Sequence, residues 1–176
     1  GLKYGAQLLD LVEFPYAPFL TADATKEQIQ QMLNTHKKLV IKPFFSGGVG
    51  KKGKAGLVRI VDNLVDALQA KKELYFAAHQ YGAKTVTANG FTFEAFVPSD
   101  IEVYFSITAS TIHRKPVFTI SPFGGMDIES LSTDKKQVIW IDPFIGLKSF
   151  DITNALTDTG CPEDCISPLV QSLPKL

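Results

Sequence analysis

Cysteine is scarce in this chain: 176 residues hold two, Cys161 and Cys165. No disulfide framework can be built from them, so a cytoplasmic location is the default expectation. Their CxxxC spacing, with no histidine close by, is not that of a zinc or redox pair. Two ordinary thiols at a helix entry is the simpler reading. No apolar run reaches the roughly 18 residues that span a bilayer, and no signal peptide follows Gly1, so no membrane role is expected. Excess charge is missing as well, since 18 Lys plus Arg balance 18 Asp plus Glu. That argues against bulk attraction to nucleic acid or anionic lipid and leaves only local patches of charge. The starting methionine is absent too, which suggests a fragment or a processed chain. Repeats, heptads and low-complexity tracts are lacking.

What is present is ordinary globular material, 45% hydrophobic with 13 phenylalanines, enough for one domain or two small lobes. Segment 6–12 reads as a short amphipathic helix. Thr25 to Gln28 has the form of a capping box, followed by Ile29, Met32 and Leu33 on one helical face. Leu39-Val-Ile-Lys-Pro-Phe-Phe45 is strand-like, and so is 57–61. Asp62 or Asn63 is placed to cap a helix running to about residue 80. Strands are expected at 84–87, 91–97, 102–109, 116–121 and 137–142, with turns at Asn89-Gly90 and 98–100. Asp151 reads as a cap, and Ser167-Pro168 as the opening of a last helix. The sum is α+β with a largely antiparallel sheet.

Between the strands at 39–45 and 57–61 lies a loop rich in glycine and lysine. Gly48 to Lys54 fits the GxxxxGK half of a P-loop. A P-loop, however, leads into a helix and needs Ser or Thr where Ala55 stands. The remaining geometry is a hairpin flap whose glycines let backbone N–H groups approach phosphates, with lysines supplying charge. A solvated basic hairpin tip is the plainer alternative. Lys42 sits inside an apolar run, where it can reach a phosphate or simply face water from an edge strand. Glu94 is flanked by Phe91, Phe93 and Phe96. Buried, it needs a donor such as an amino group, a ribose hydroxyl or a lysine; pointing outward, it needs nothing.

Five motifs occur in order: Leu39-Val-Ile-Lys-Pro43, Gly53-Lys-Ala-Gly-Leu-Val58, Phe93-Glu-Ala-Phe-Val-Pro98, Gly124-Gly-Met-Asp-Ile-Glu129 and Ile141-Asp-Pro-Phe-Ile-Gly146. Together they resemble the ATP-grasp domain of the nucleotide-dependent acyl-CoA ligases. That group includes the succinyl-CoA synthetase β-subunit, ATP-citrate lyase and the citryl-CoA synthetase large subunit. The resemblance implies two lobes, 13–97 with the flap, and 1–12 with 98–176 as the start of the second, with ATP held between them.

It further implies that Lys42 contacts the nucleotide phosphates and that Lys51, Lys52 and Gly53 cover them. Glu94, Ala95, Phe96 and Val97 would line adenine and ribose, and Glu102 would be a second acidic residue of the site. Gly124-Gly125 would face a partner subunit. Mg²⁺ is implied as a cofactor, with its ligands expected past residue 176. The phosphorylated histidine and the CoA site are expected on another domain or subunit, which leaves His36, His79 and His113 as surface or structural residues. The activity implied is ATP-dependent activation of an acid such as citrate or succinate for transfer to CoA. The other readings are an assembly module of the same fold without nucleotide, and an unrelated nucleotide-binding enzyme with a glycine flap.

Overall fold

The computed structural model describes residues 2–45, 57–74, 78–81, 84–125 and 128–175. The chain divides into two compact units, 1–98 and 99–176, with residues 1–12 grouped in the first.

The first unit runs α1 (Leu2–Leu11), β1 (Phe19–Thr21), α2 (Lys26–His36), β2 (Leu39–Phe45), β3 (Arg59–Val61), α3 (Leu64–Leu74), β4 (Ala78–Tyr81) and β5 (Lys84–Ala95). Among the described residues its strands form one antiparallel sheet in the order β1-β5-β2-β3, with β4 on the first half of β5. The capping box forms at Thr25 and Gln28, so α2 begins where local chemistry says it should. Asn63 caps α3 by accepting from the Asp66 amide at 2.9 Å.

Side chains alternate across a strand. One face of the sheet therefore presents Leu39, Ile41, Phe91, Phe93 and Ala95 to Ile29, Met32 and Leu33 of α2 and to Ala67, Ala70 and Leu74 of α3. Phe91 and Phe93 meet edge to face, with ring centroids 5.3 Å apart. The other face carries Val40, Lys42, Thr92 and Glu94.

The second unit holds β6 (Tyr104–Ser110), β7 (Lys115–Ser121), β8 (Gln137–Trp140), α4 (Ser149–Asp158) and α5 (Glu163–Ser172). Its described strands make an antiparallel sheet, β6-β7-β8. Helix α4 packs on β7 and β8. Phe118, Ile120, Ile152, Leu156 and Leu173 are fully buried.

Several local expectations are corrected. The helix expected to reach residue 80 ends at Leu74, and 78–81 is a strand paired with β5. Asn89-Gly90 is not a turn. It lies inside β5, opposite the irregularity at Phe44 and Phe45 of β2, because pairing with β2 overrides the local turn preference. A Cβ on Gly90 would stand 2.6 Å from Cζ of Phe44, so the ring occupies the space a side chain would need. Asp151 is not a cap but lies in the first turn of α4, which opens after Lys148. Pro168 does not start a helix; it sits inside α5, which begins after Pro162. The strand expected at 91–97 stops at Ala95.

Candidate functional site

Residues 46–56 lie outside the described residues, and the strands on either side of them, β2 and β3, pair antiparallel. The element after this segment is thus a strand, which removes the P-loop reading. Lys51, Lys52 and Gly53 lie outside the described residues.

Two inner strands bring Lys42 and Glu94 together across 52 positions of sequence. On β2, Lys42 pairs in register with Thr92, and Val40 with Glu94, so Lys42 and Glu94 are diagonal neighbours on one face. Lys42 Nζ donates to Glu94 Oε2 at 2.6 Å. Thr92 Oγ1 donates to the other oxygen, Oε1, at 2.8 Å. Glu94 is 6% exposed, so the outward-facing alternative is overturned. Its carboxylate is stable there because both oxygens are engaged, one by a cation. The Lys42 side chain is 50% exposed. It is neither an ordinary edge lysine nor a buried one: one side is tied to a carboxylate while the rest meets solvent.

Sequence reasoning missed Thr92. Its signal is a hydroxyl two residues before an acid in a strand, which places both on one face. Of the remaining candidates, Ala95 is buried in the core, so only its backbone is available for recognition. Phe96 donates its amide to the Lys38 carbonyl at 3.0 Å and is exposed, as is Val97. Glu102 lies in the second unit, just before β6, and its carbonyl accepts from the Gly124 amide at 2.5 Å.

Cys161 is buried. Its thiol is pushed above the usual range by burial and, second, by Cys165. His113 packs against Trp140 with ring centroids 4.3 Å apart, and His36 closes α2. Among the described residues no three His, Cys, Asp or Glu side chains gather where they could hold a metal ion. No described helix is long and apolar enough to cross a membrane.

Residues 5–176 match the family described as ATP-grasp domain. The chain belongs to that family. This ATP-grasp chain is 33% identical over 164 residues to the succinate–CoA ligase [ADP-forming] subunit beta of Trichlorobacter lovleyi, covering 87% of this chain and 41% of that one. It is 29% identical over 170 residues to the Desulfurococcus amylolyticus subunit, covering 95% and 41%.

Among solved structures, ATP citrate lyase from Methanothrix soehngenii, in complex with citrate and coenzyme A, superposes with TM-score 0.66 and 21% identity. The match covers 98% of this chain and 39% of that one. A dinucleotide-forming acetyl-coenzyme A synthetase from Ca. Korarchaeum cryptofilum matches with TM-score 0.60 and 13% identity, over 98% and 75%. These structural likenesses show the fold. The ATP-grasp chain spans well under half the length of these curated relatives.

Proposed function

We propose that this chain is the nucleotide-binding portion of an ATP-dependent acyl-CoA ligase or lyase acting on a di- or tricarboxylate such as citrate or succinate. The observation that carries the reading is Lys42. Its ammonium is aligned by Glu94 at 2.6 Å yet keeps half its side-chain surface open, on the strand that precedes the glycine- and lysine-rich segment 46–56 in sequence. A cation held in one direction and left accessible suits a phosphate oxygen, because little freedom remains to be lost on binding. The names of the relatives support the acid and the nucleotide: succinate–CoA ligase [ADP-forming], and ATP citrate lyase with citrate and coenzyme A.

In this reading Lys42, Lys51, Lys52 and Gly53 hold the phosphates. Glu94 through Val97 line the nucleoside, with Ala95 acting through its backbone, and Glu102 is the second acid of the site. The γ-phosphoryl group passes from ATP to a histidine of another domain or subunit, releasing ADP. A substrate carboxylate then takes it from that histidine as an acyl phosphate, and the CoA thiol displaces phosphate to form the thioester. The Korarchaeum neighbour, which carries a phosphorylated phosphohistidine segment, supports the histidine step. Mg²⁺ would neutralise phosphate charge. Among the described residues no cluster of acidic, histidine or cysteine side chains stands ready to hold it.

Titration of the chain with ATP, unsubstituted against Lys42→Ala, tests the reading. Weak saturable binding by the unsubstituted chain is expected, without turnover. The variant should bind about tenfold or more weakly, the loss of one charge-assisted hydrogen bond. Equal affinity in both would remove Lys42 from the site. No saturable binding in either would favour an assembly module of the same fold.

A further inference from the structure

The turn after β7 is built around Glu102. The Gly124 amide donates to the Glu102 carbonyl at 2.5 Å. A Cβ on Gly124 would stand 2.6 Å from that oxygen and 2.7 Å from the Glu102 carbonyl carbon and Cβ. A Cβ on Gly125 would stand 2.5 Å from Oε2 of the Glu102 carboxylate. Neither position tolerates a side chain while Glu102 stays where it is.

The two obstacles differ. At Gly124 the obstacle is backbone, which cannot yield. At Gly125 it is the tip of a flexible side chain, which can swing away. The turn itself is braced from within. Ser121 is fully buried, donates to the Lys135 carbonyl at 2.7 Å and accepts from the Phe123 amide at 3.1 Å. Consecutive amides at 123 and 124 are therefore both hydrogen-bonded, and the Glu102 carboxylate lies beside the next residue, Gly125.

We propose that Gly124-Gly125 is the seat that aims the Glu102 carboxylate, which makes Gly125 a positioning residue for nucleotide affinity that touches no nucleotide atom. The proposal rests on the assignment of Glu102 to the nucleotide site. It departs from the expectation that this turn faces a partner subunit. A carboxylate repels phosphate and accepts from hydroxyl and amino groups. Glu102 must therefore act on the nucleoside, and its misalignment should weaken ATP while leaving inorganic tripolyphosphate untouched.

The test uses Gly125→Asn. Gly125 has φ +69°, a conformation asparagine adopts more readily than other side chains, so the turn is retained while the new Cβ displaces the carboxylate. Glu102→Asp withdraws the carboxylate from the seat without altering the turn, and guards against a Gly125→Asn chain that fails to fold. Both variants, and Glu102→Ala, should bind ATP about five- to tenfold more weakly than the unsubstituted chain. All three should bind tripolyphosphate unchanged. Gly125→Asn should cost nothing further in a Glu102→Ala background.

ATP binding by Gly125→Asn at the unsubstituted level, or an additive loss in the double variant, would overturn the seat. So would a parallel loss of tripolyphosphate. Unchanged ATP binding by Glu102→Ala, with Lys42→Ala still weakened, removes Glu102 and the seat but leaves the nucleotide reading. Unchanged binding by both removes that reading.

Discussion

Thr92 decides how Glu94 behaves. Its hydroxyl satisfies the carboxylate oxygen that Lys42 does not reach, so neither oxygen of the buried acid is left without a partner. Replacing Thr92 with valine keeps the shape and removes one hydrogen bond. The expected loss is about 1 kcal/mol of stability in urea unfolding, with ATP affinity reduced less than in Lys42→Ala, because Glu94 still holds the ammonium. A larger effect on ATP than that of Lys42→Ala would mean Thr92 contacts the ligand itself. At this scale the sequence carried half of the information. The unusual residue types at positions 42 and 94 were visible, because a charge inside an apolar run needs a reason. Their meeting was not, because it depends on a strand register 52 residues away, which no local pattern encodes.

Among the elements, legibility followed how local the deciding interaction was. The Thr25 capping box is a contact across three residues, and it forms as read. The Asn89-Gly90 pair is an equally strong local signal, and it misled. Strand β5 pairs with β2 along its second half, and the ladder gained there outweighs a two-residue turn. The misplaced helix end has the same cause, since 78–81 pairs with the first half of β5. Gly90 matters for a different reason: the Phe44 ring lies where its side chain would be. Gly90→Ala should therefore destabilise the chain by about 1–3 kcal/mol through overpacking. Phe44→Leu, which removes the crowding ring, should recover part of that loss in the double variant. Thermal unfolding of the unsubstituted chain and the three variants measures this, and simple additivity would deny the contact.

For the molecule as a whole, the division at residue 98 gives each unit a core of its own: α2 and α3 on one sheet, α4 on the other. The single tryptophan, Trp140, belongs to the second unit. Phe93, fully buried, belongs to the first. Phe93→Ala should cost the first unit about 3–5 kcal/mol. Far-UV circular dichroism should then show an earlier transition, while Trp140 fluorescence keeps its original midpoint. A common shift of both signals would mean that the two units melt as one cooperative body. The mixed α+β class and the antiparallel sheets were legible because period-two runs bounded by turn residues recur along the chain. The family was legible because five short motifs stood in order.

An ammonium carries its three hydrogens as a tetrahedral fan, and the Glu94 carboxylate takes one of them at position 42. The other two spread away from that anchor. A guanidinium in the same place would grip both carboxylate oxygens with its flat fork and turn its donors inward, keeping the formal charge while losing its outward aim. Side-chain shape, as much as sign, therefore makes lysine the fitting cation on this strand.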